Sequence, residues 1–155
     1  MLDHVSRPRE SAHELSPLRV VGISCVTDQD GAIRDIGALW QRAAEAGLLA
    51  GSSEAVAVYH AYEVGGGGYR VKVTVGHEVG AGDLATEGRE LALVPAQRGL
   101  LIETDGSLDA VREAWGSVWA RWPDGGPRAF TADVERWTMG DRGVPVRADV
   151  FVGLT

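Results

Sequence analysis

Residues Arg98–Trp122 read RGLLIETDGSLDAVREAWGSVWARW, and residues Arg19–Ala43 read RVVGISCVTDQDGAIRDIGALWQRA. Laid over one another without a gap, at the 79-residue separation of Arg19 from Arg98, they pair Ile23 with Ile102, Asp30 with Asp109, Gly37 with Gly116, Trp40 with Trp119 and Arg42 with Arg121. Self-similarity at a fixed offset marks a repeated structural unit. Each copy opens with a β-rich run, Leu18–Val26 in the first and Leu91–Glu103 in the second, where Pro95 marks a bend or an edge. Each continues into an apolar stripe at helical spacing: Ile33, Ile36, Leu39, Trp40 and Ala43, then Leu108, Val111, Trp115, Val118, Trp119 and Trp122. Asp28-Gln29-Asp30 and Ser107 supply helix-start chemistry, and Gly47 and Pro123-Asp124-Gly125-Gly126-Pro127 supply the stops.

Outward from these cores, Ala55–Tyr62 and Tyr69–Val79 are two β-type runs joined by Gly65–Gly68, a hairpin loop. Ala129–Trp137 and Val144–Leu154 answer them in the second half. Val56–Tyr59 lies over Val134–Trp137 at an offset of 78, and Val71–Gly76 over Ala148–Gly153 at 77. The pattern predicts an α+β fold: a tandem β-α-β-β repeat of two pseudo-symmetric units, with an antiparallel sheet, two helices and a cleft at the seam. Neither half can bury both faces of its own small sheet, so the halves pack side by side. Polar Met1–Pro17 reads as a flexible tail, and 18–155 as one domain.

The chain has 155 residues, a formal charge of −7 and a pI near 5.0. Clustered Lys and Arg are absent, which argues against direct nucleic-acid binding. One cysteine, Cys25, allows no internal disulfide, and no apolar run is long enough to span a bilayer or act as a signal core, so we expect a cytoplasmic protein with no membrane association. The four histidines are scattered without ligand spacing, and Gly65–Gly68 lacks a following Lys-Ser/Thr. No metal, cofactor or covalent nucleophile is expected.

Within Asp133-Val134-Glu135-Arg136-Trp137, strand alternation puts Glu135 and Trp137 on one face and Val134 and Arg136 on the other. Glu135 lies over Ala57, so the repeat is broken by a charge at one position. Five Trp against two Phe favours rings that can stack and also donate a hydrogen bond. Trp40, Tyr59, Trp115, Trp119 and Trp137 are the candidate ligand-binding rings, with core packing an equally simple explanation for Trp115 and Trp119; Trp122 is assigned to the core.

The chain resembles the gyrase-inhibitor-like family, which also supplies the effector-binding domains of multidrug-sensing regulators. The resemblance covers Leu18–Leu154 and rests on Val20-Val21-Gly22-Ile23, Gly31-Ala32-Ile33, Leu39-Trp40, Tyr59, Tyr69, Val75–Val79, Val94-Pro95-Ala96, the Trp115–Trp122 helix and Asp133-Val134-Glu135. It implies an aromatic-lined cleft containing Glu135. The family includes drug sensors, stand-alone binders and a subgroup that hydrolyses cyclopropane-containing DNA alkylators. Two positions depart from its pattern: Trp137 stands where Tyr is usual, which keeps a ring and loses a hydroxyl, and Gly99 stands where an aromatic is frequent, which is expected to open space.

Three functions follow. The first is detoxification or self-resistance by hydrolysis, with a planar aromatic electrophile held by the cage while the candidate catalytic pair, Glu135 and Tyr59, activates water and donates a hydrogen bond. The second is a non-catalytic module that sequesters or senses a planar or cationic drug through the same residues, with an ionised Glu135 as counter-charge. The third is a gyrase-inhibitor-like interaction protein, its protein partner unknown. Met1–Pro17 is too short for a helix-turn-helix, which disfavours a one-component regulator.

Overall fold

The computed structural model describes residues 8–50 and 53–155. Ten elements follow in order: β1 Arg9–Leu15, β2 Leu18–Asp28, α1 Ala32–Glu45, β3 Glu54–Gly65, β4 Gly68–Val79, β5 Glu90–Val94, β6 Gln97–Thr104, α2 Leu108–Arg121, β7 Ala132–Met139 and β8 Pro145–Gly153. The eight strands form one antiparallel sheet in the order β1-β6-β8-β7-β3-β4-β2-β5. The two β-α-β-β units expected from the repeat, β2-α1-β3-β4 and β6-α2-β7-β8, are both present.

Local chemistry sets the element ends. Gly66 (φ 60°) and Gly67 (φ 81°) form the two-residue turn of the β3–β4 hairpin, both in the left-handed region that this turn requires. Asp28 accepts the Gly31 N–H ahead of α1, and the Ser107 hydroxyl accepts the Ala110 N–H at the start of α2. Each helix buries a narrow stripe, Leu39 and Ala43 in α1 and Val111, Ala114 and Val118 in α2. The outermost members of the predicted stripes, Ile33 and Leu108, are exposed instead.

Two corrections concern the strands. The polar run expected to be a tail through Pro17 forms β1 from Arg9 to Leu15, paired with β6; residues 1–7 lie outside the described residues. Its side chains are almost all exposed, so it carries no apolar alternation and is held by backbone hydrogen bonds to an otherwise bare sheet edge. Leu91–Glu103, expected as one bent strand, is two strands in different parts of the sheet, because Pro95-Ala96 turns the chain from β5, beside β2, to β6, beside β8.

That turn forces the sheet to curl. β5 and β6 stand six places apart in the strand order, as do β1 and β2, and flat sheet spacing would separate each pair by about 29 Å. Two-residue connections reach roughly 10 Å. The ends of the sheet are therefore drawn together, and its inner face closes on Leu18, Val20, Val56, Val58, Ala92, Val94, Val134 and Phe151. Leu15 and Leu101 pack against this cluster. The connections also exchange strands between units: β1 precedes unit one but pairs with β6 of unit two, and β5 precedes unit two but pairs with β2 of unit one.

On the outer face α1 packs on β2 and β4, and α2 on β6 and β8, which leaves the β3–β7 seam between the helices. In that seam Ala57 faces Glu135, with Val56 opposite Arg136 and Val58 opposite Val134. Ala57 and Glu135 are repeat equivalents, so the pseudo-two-fold axis passes between them. The Gly99 position is closed: Gly99 pairs with Gly153, and a Cβ there would meet the Val152 carbonyl and lie 2.7 Å from the Phe151 ring. The room expected from a missing side chain is filled by Phe151.

Candidate functional site

The exposed part of the seam is the floor of a cavity of about 1150 Å³ between the two helices. Glu135, Tyr59, Trp40, Trp115, Trp119 and Trp137 all line it, so the structure brings every site residue expected from the sequence to one place. Trp122 packs in the α2 cluster instead, with the Arg121 guanidinium 5.3 Å from its ring centroid.

Glu135 sits at the middle of β7 and is 3% exposed. Tyr59, diagonal to it on β3, donates its hydroxyl to Oε2 at 2.8 Å, and the Trp115 indole donates to the same oxygen from α2 at 2.7 Å. Trp137, two residues along on the same face of β7, donates its indole N–H to Oε1 at 3.0 Å. All three donors are neutral, and no ion pair among the described residues involves Glu135. Burial pushes its carboxyl above the ordinary range, while the bonds from Trp115, Tyr59 and Trp137 pull it back. Burial and then the neighbouring carboxylate push the Tyr59 hydroxyl well above its ordinary value, so it keeps its proton and donates. The rings around Glu135 brace one another: Tyr59 meets Trp115 with centroids 5.2 Å apart, and Trp40 meets Trp137 edge-on at 5.8 Å.

A second polar group lies two residues earlier on the same strand. Asp133, fully buried, accepts from Arg128 Nη2 at 2.8 Å, from the Tyr62 hydroxyl at 2.6 Å and from the Gly153 N–H at 2.9 Å. Burial raises its carboxyl, and the guanidinium, the hydroxyl and the amide each pull it down. Arg128 is 4% exposed and lines the same cavity. Its guanidinium carbon lies 4.4 Å from the Phe130 ring centroid and 4.7 Å from that of Trp119. Tyr69 stacks on Trp119 at 5.1 Å with planes 13° apart.

Sequence reasoning missed this second cluster. The strand register shifts between His60 and Glu63, so Tyr62 reaches the cavity face that strict alternation from Tyr59 assigns to Ala61, and Ala61 takes φ 51°. Arg128 lies ahead of β7 in a Gly-Gly-Pro-Arg segment with no periodic signal. The available hint was Asp133, a carboxylate on Glu135's own face, which requires a partner if buried.

No family model matches the chain, and no curated protein matches it. Solved structures do. An integron cassette protein from the mobile metagenome of Vibrio cholerae aligns with a TM-score of 0.73 and 19% identity, over 94% of this chain and 95% of its own. SAV2435, solved bound to tetraphenylphosphonium, aligns at 0.66 with 15% identity, over 95% and 94%. The C-terminal domain of EcmrR aligns at 0.52 with 14% identity, over 96% and 98%. The chain shares the fold of these proteins. Such low identities carry the fold alone, and the chemistry of the cavity has to be argued from its own residues. No helix among the described residues is long and apolar enough to cross a membrane.

Proposed function

We propose that this protein is a small-molecule-binding module that takes a lipophilic, aromatic cation into the cavity between its helices, with Glu135 as the counter-charge. The observation that carries the reading is the uncompensated carboxylate. Glu135 is buried among rings, held by three neutral donors and in no ion pair among the described residues. The three donors favour the charged form of the carboxyl against the cost of burial, and the surrounding rings offer faces that each attract a cation by roughly 0.5–2 kcal/mol. A cation of matching shape relieves the buried charge and covers the rings together. The tetraphenylphosphonium complex of SAV2435, a protein of the same fold, supports the ligand class.

The hydrolytic reading rests on the same residue, since a desolvated carboxyl with a raised pKa is suited to proton transfer. Its geometry is less favourable. Both carboxylate oxygens already accept hydrogen bonds, and the Tyr59 proton is committed to Glu135, which leaves no free donor in that pair for a leaving group. Binding, for sequestration or for sensing, is therefore the function we put forward.

Tryptophan fluorescence tests it directly, because Trp40, Trp115, Trp119 and Trp137 line the cavity. Titration with tetraphenylphosphonium is expected to change emission saturably at one site. Mass analysis of incubated mixtures with strained alkylators is expected to return each ligand unaltered; gain of one water would establish the hydrolase instead.

A further inference from the structure

We propose that Arg128 forms a second polar subsite of the cavity, and that the ligand is a monocation carrying an uncharged hydrogen-bond acceptor, such as a ketone or amide carbonyl, for the Arg128 guanidinium. The proposal rests on the binding function put forward above and specifies its ligand. Arg128 Nη2 is used by Asp133 and lies 3.4 Å from the Tyr62 hydroxyl, but Nε and Nη1 have no hydrogen-bond partner although both are buried. Buried donors on a charged group are costly to leave unmatched, and native folds seldom leave two on one side chain.

The surroundings are built to hold this group in place. Four rings stand within about 6 Å of the guanidinium carbon, those of Phe130, Trp119, Tyr62 and Trp115. Among the described residues, the two non-glycine residues with positive φ, Ala61 (51°) and Phe130 (54°), both flank this cluster. Such backbone is strained and gathers where a site has to be preorganised. Trp119, half-buried on α2 and stacked on Tyr69, is the cavity-lining ring beside the guanidinium.

Charge decides which acceptor. Among the charged residues of the cavity lining, Glu135 and Asp105 balance Arg128 and Arg112, and Asp133, bound to Arg128 behind the wall, brings the total to one excess negative charge. One positive charge on the ligand neutralises it. A carboxylate on the ligand would restore the imbalance and lie beside Asp133, so the acceptor has to be uncharged.

The test compares (4-acetylphenyl)triphenylphosphonium with its 4-isopropyl analogue, matched in shape but without the carbonyl, with the 4-carboxyphenyl compound and with tetraphenylphosphonium itself, by calorimetry on the full chain. The ketone is expected to bind at least fivefold more tightly than the isopropyl compound, and the carboxylate more weakly than the ketone. The ¹⁵N-detected Nε–H signal of Arg128 should move with the ketone and stay with the isopropyl compound. The double variant Arg128→Met, Asp133→Asn should erase the ketone preference, and the native-protein comparison decides the matter if that variant does not fold. Equal affinity of the ketone and isopropyl compounds with an unmoved Nε–H would overturn the Arg128 subsite while leaving cation binding intact. Absence of binding by all four would overturn the cation reading and the subsite with it.

Discussion

Asp133 and Glu135 are two carboxylates on one strand, two residues apart on the same face and equally buried, yet they are neutralised differently. Asp133 meets a guanidinium, a hydroxyl and a backbone amide, and its charge is closed inside the protein. Glu135 meets three neutral donors and stays open in charge. The first joins the Arg128 loop and the end of β8 to β7 and is part of what keeps the fold together. The second sits on the pseudo-two-fold axis, where its repeat partner is Ala57, and makes no ion pair among the described residues. A buried carboxylate is informative about function when its charge has no partner within the chain.

Variants that separate the two carboxylates break or sharpen this contrast. The largest effect is expected at the closed pair: Arg128→Ala leaves Asp133 buried without its cation and should lower stability by about 3–5 kcal/mol in urea denaturation. Glu135→Gln keeps one acceptor oxygen, enough for Trp115 and Tyr59 while its NH2 faces the Trp137 N–H, and it removes an unpaired buried charge, so the lost bond and the relieved charge offset and stability should change far less than in Arg128→Ala. A large loss in Glu135→Gln and none in Arg128→Ala would reverse the assignment.

Trp115→Phe removes one donor from Glu135 and keeps the ring. We expect a loss of about 1–2 kcal/mol and a further rise of the Glu135 carboxyl, visible by NMR titration.

Glu135 also sets a pH dependence of definite sign. Its folded pKa is raised, so between the ordinary glutamate value, about 4.3, and the folded value the native state holds the extra proton. Stability falls with pH wherever the native state binds more protons, so this residue's contribution decreases as pH rises across that window. Relative to the native protein, Glu135→Gln should gain stability over the same window. Parallel curves for the two proteins would show that Glu135 is not desolvated.

The smallest effect belongs to the sheet edge. Arg121 pairs with Glu10 of β1 across a part-exposed surface, and Glu10→Gln should cost no more than about 0.5 kcal/mol.

The fold was largely legible because its signal is duplicated. A weak strand pattern at Val56–Tyr59 gains force when Val134–Trp137 repeats it, and two helices with matching stripes fix the unit. Strand β1 was not legible, since Arg9–Leu15 is polar on both faces and its pairing comes from backbone groups that any residue supplies. The Glu135 half of the cavity could be read from periodicity, which puts Trp115 and Trp119 on one helix face and Tyr59 and Trp137 on sheet positions beside Glu135. The Arg128 half could not, because a bulge turns Tyr62 off its alternation and a loop delivers Arg128 and Phe130.

The most direct measurement is a calorimetric titration of tetraphenylphosphonium into the native protein and into Glu135→Gln at neutral pH. The account predicts one-to-one binding to the native protein and at least a tenfold weaker complex with the variant, a difference of about 1.4 kcal/mol or more. Equal affinity for the two proteins would show that the buried carboxylate is not the counter-charge and would contradict the account at its centre.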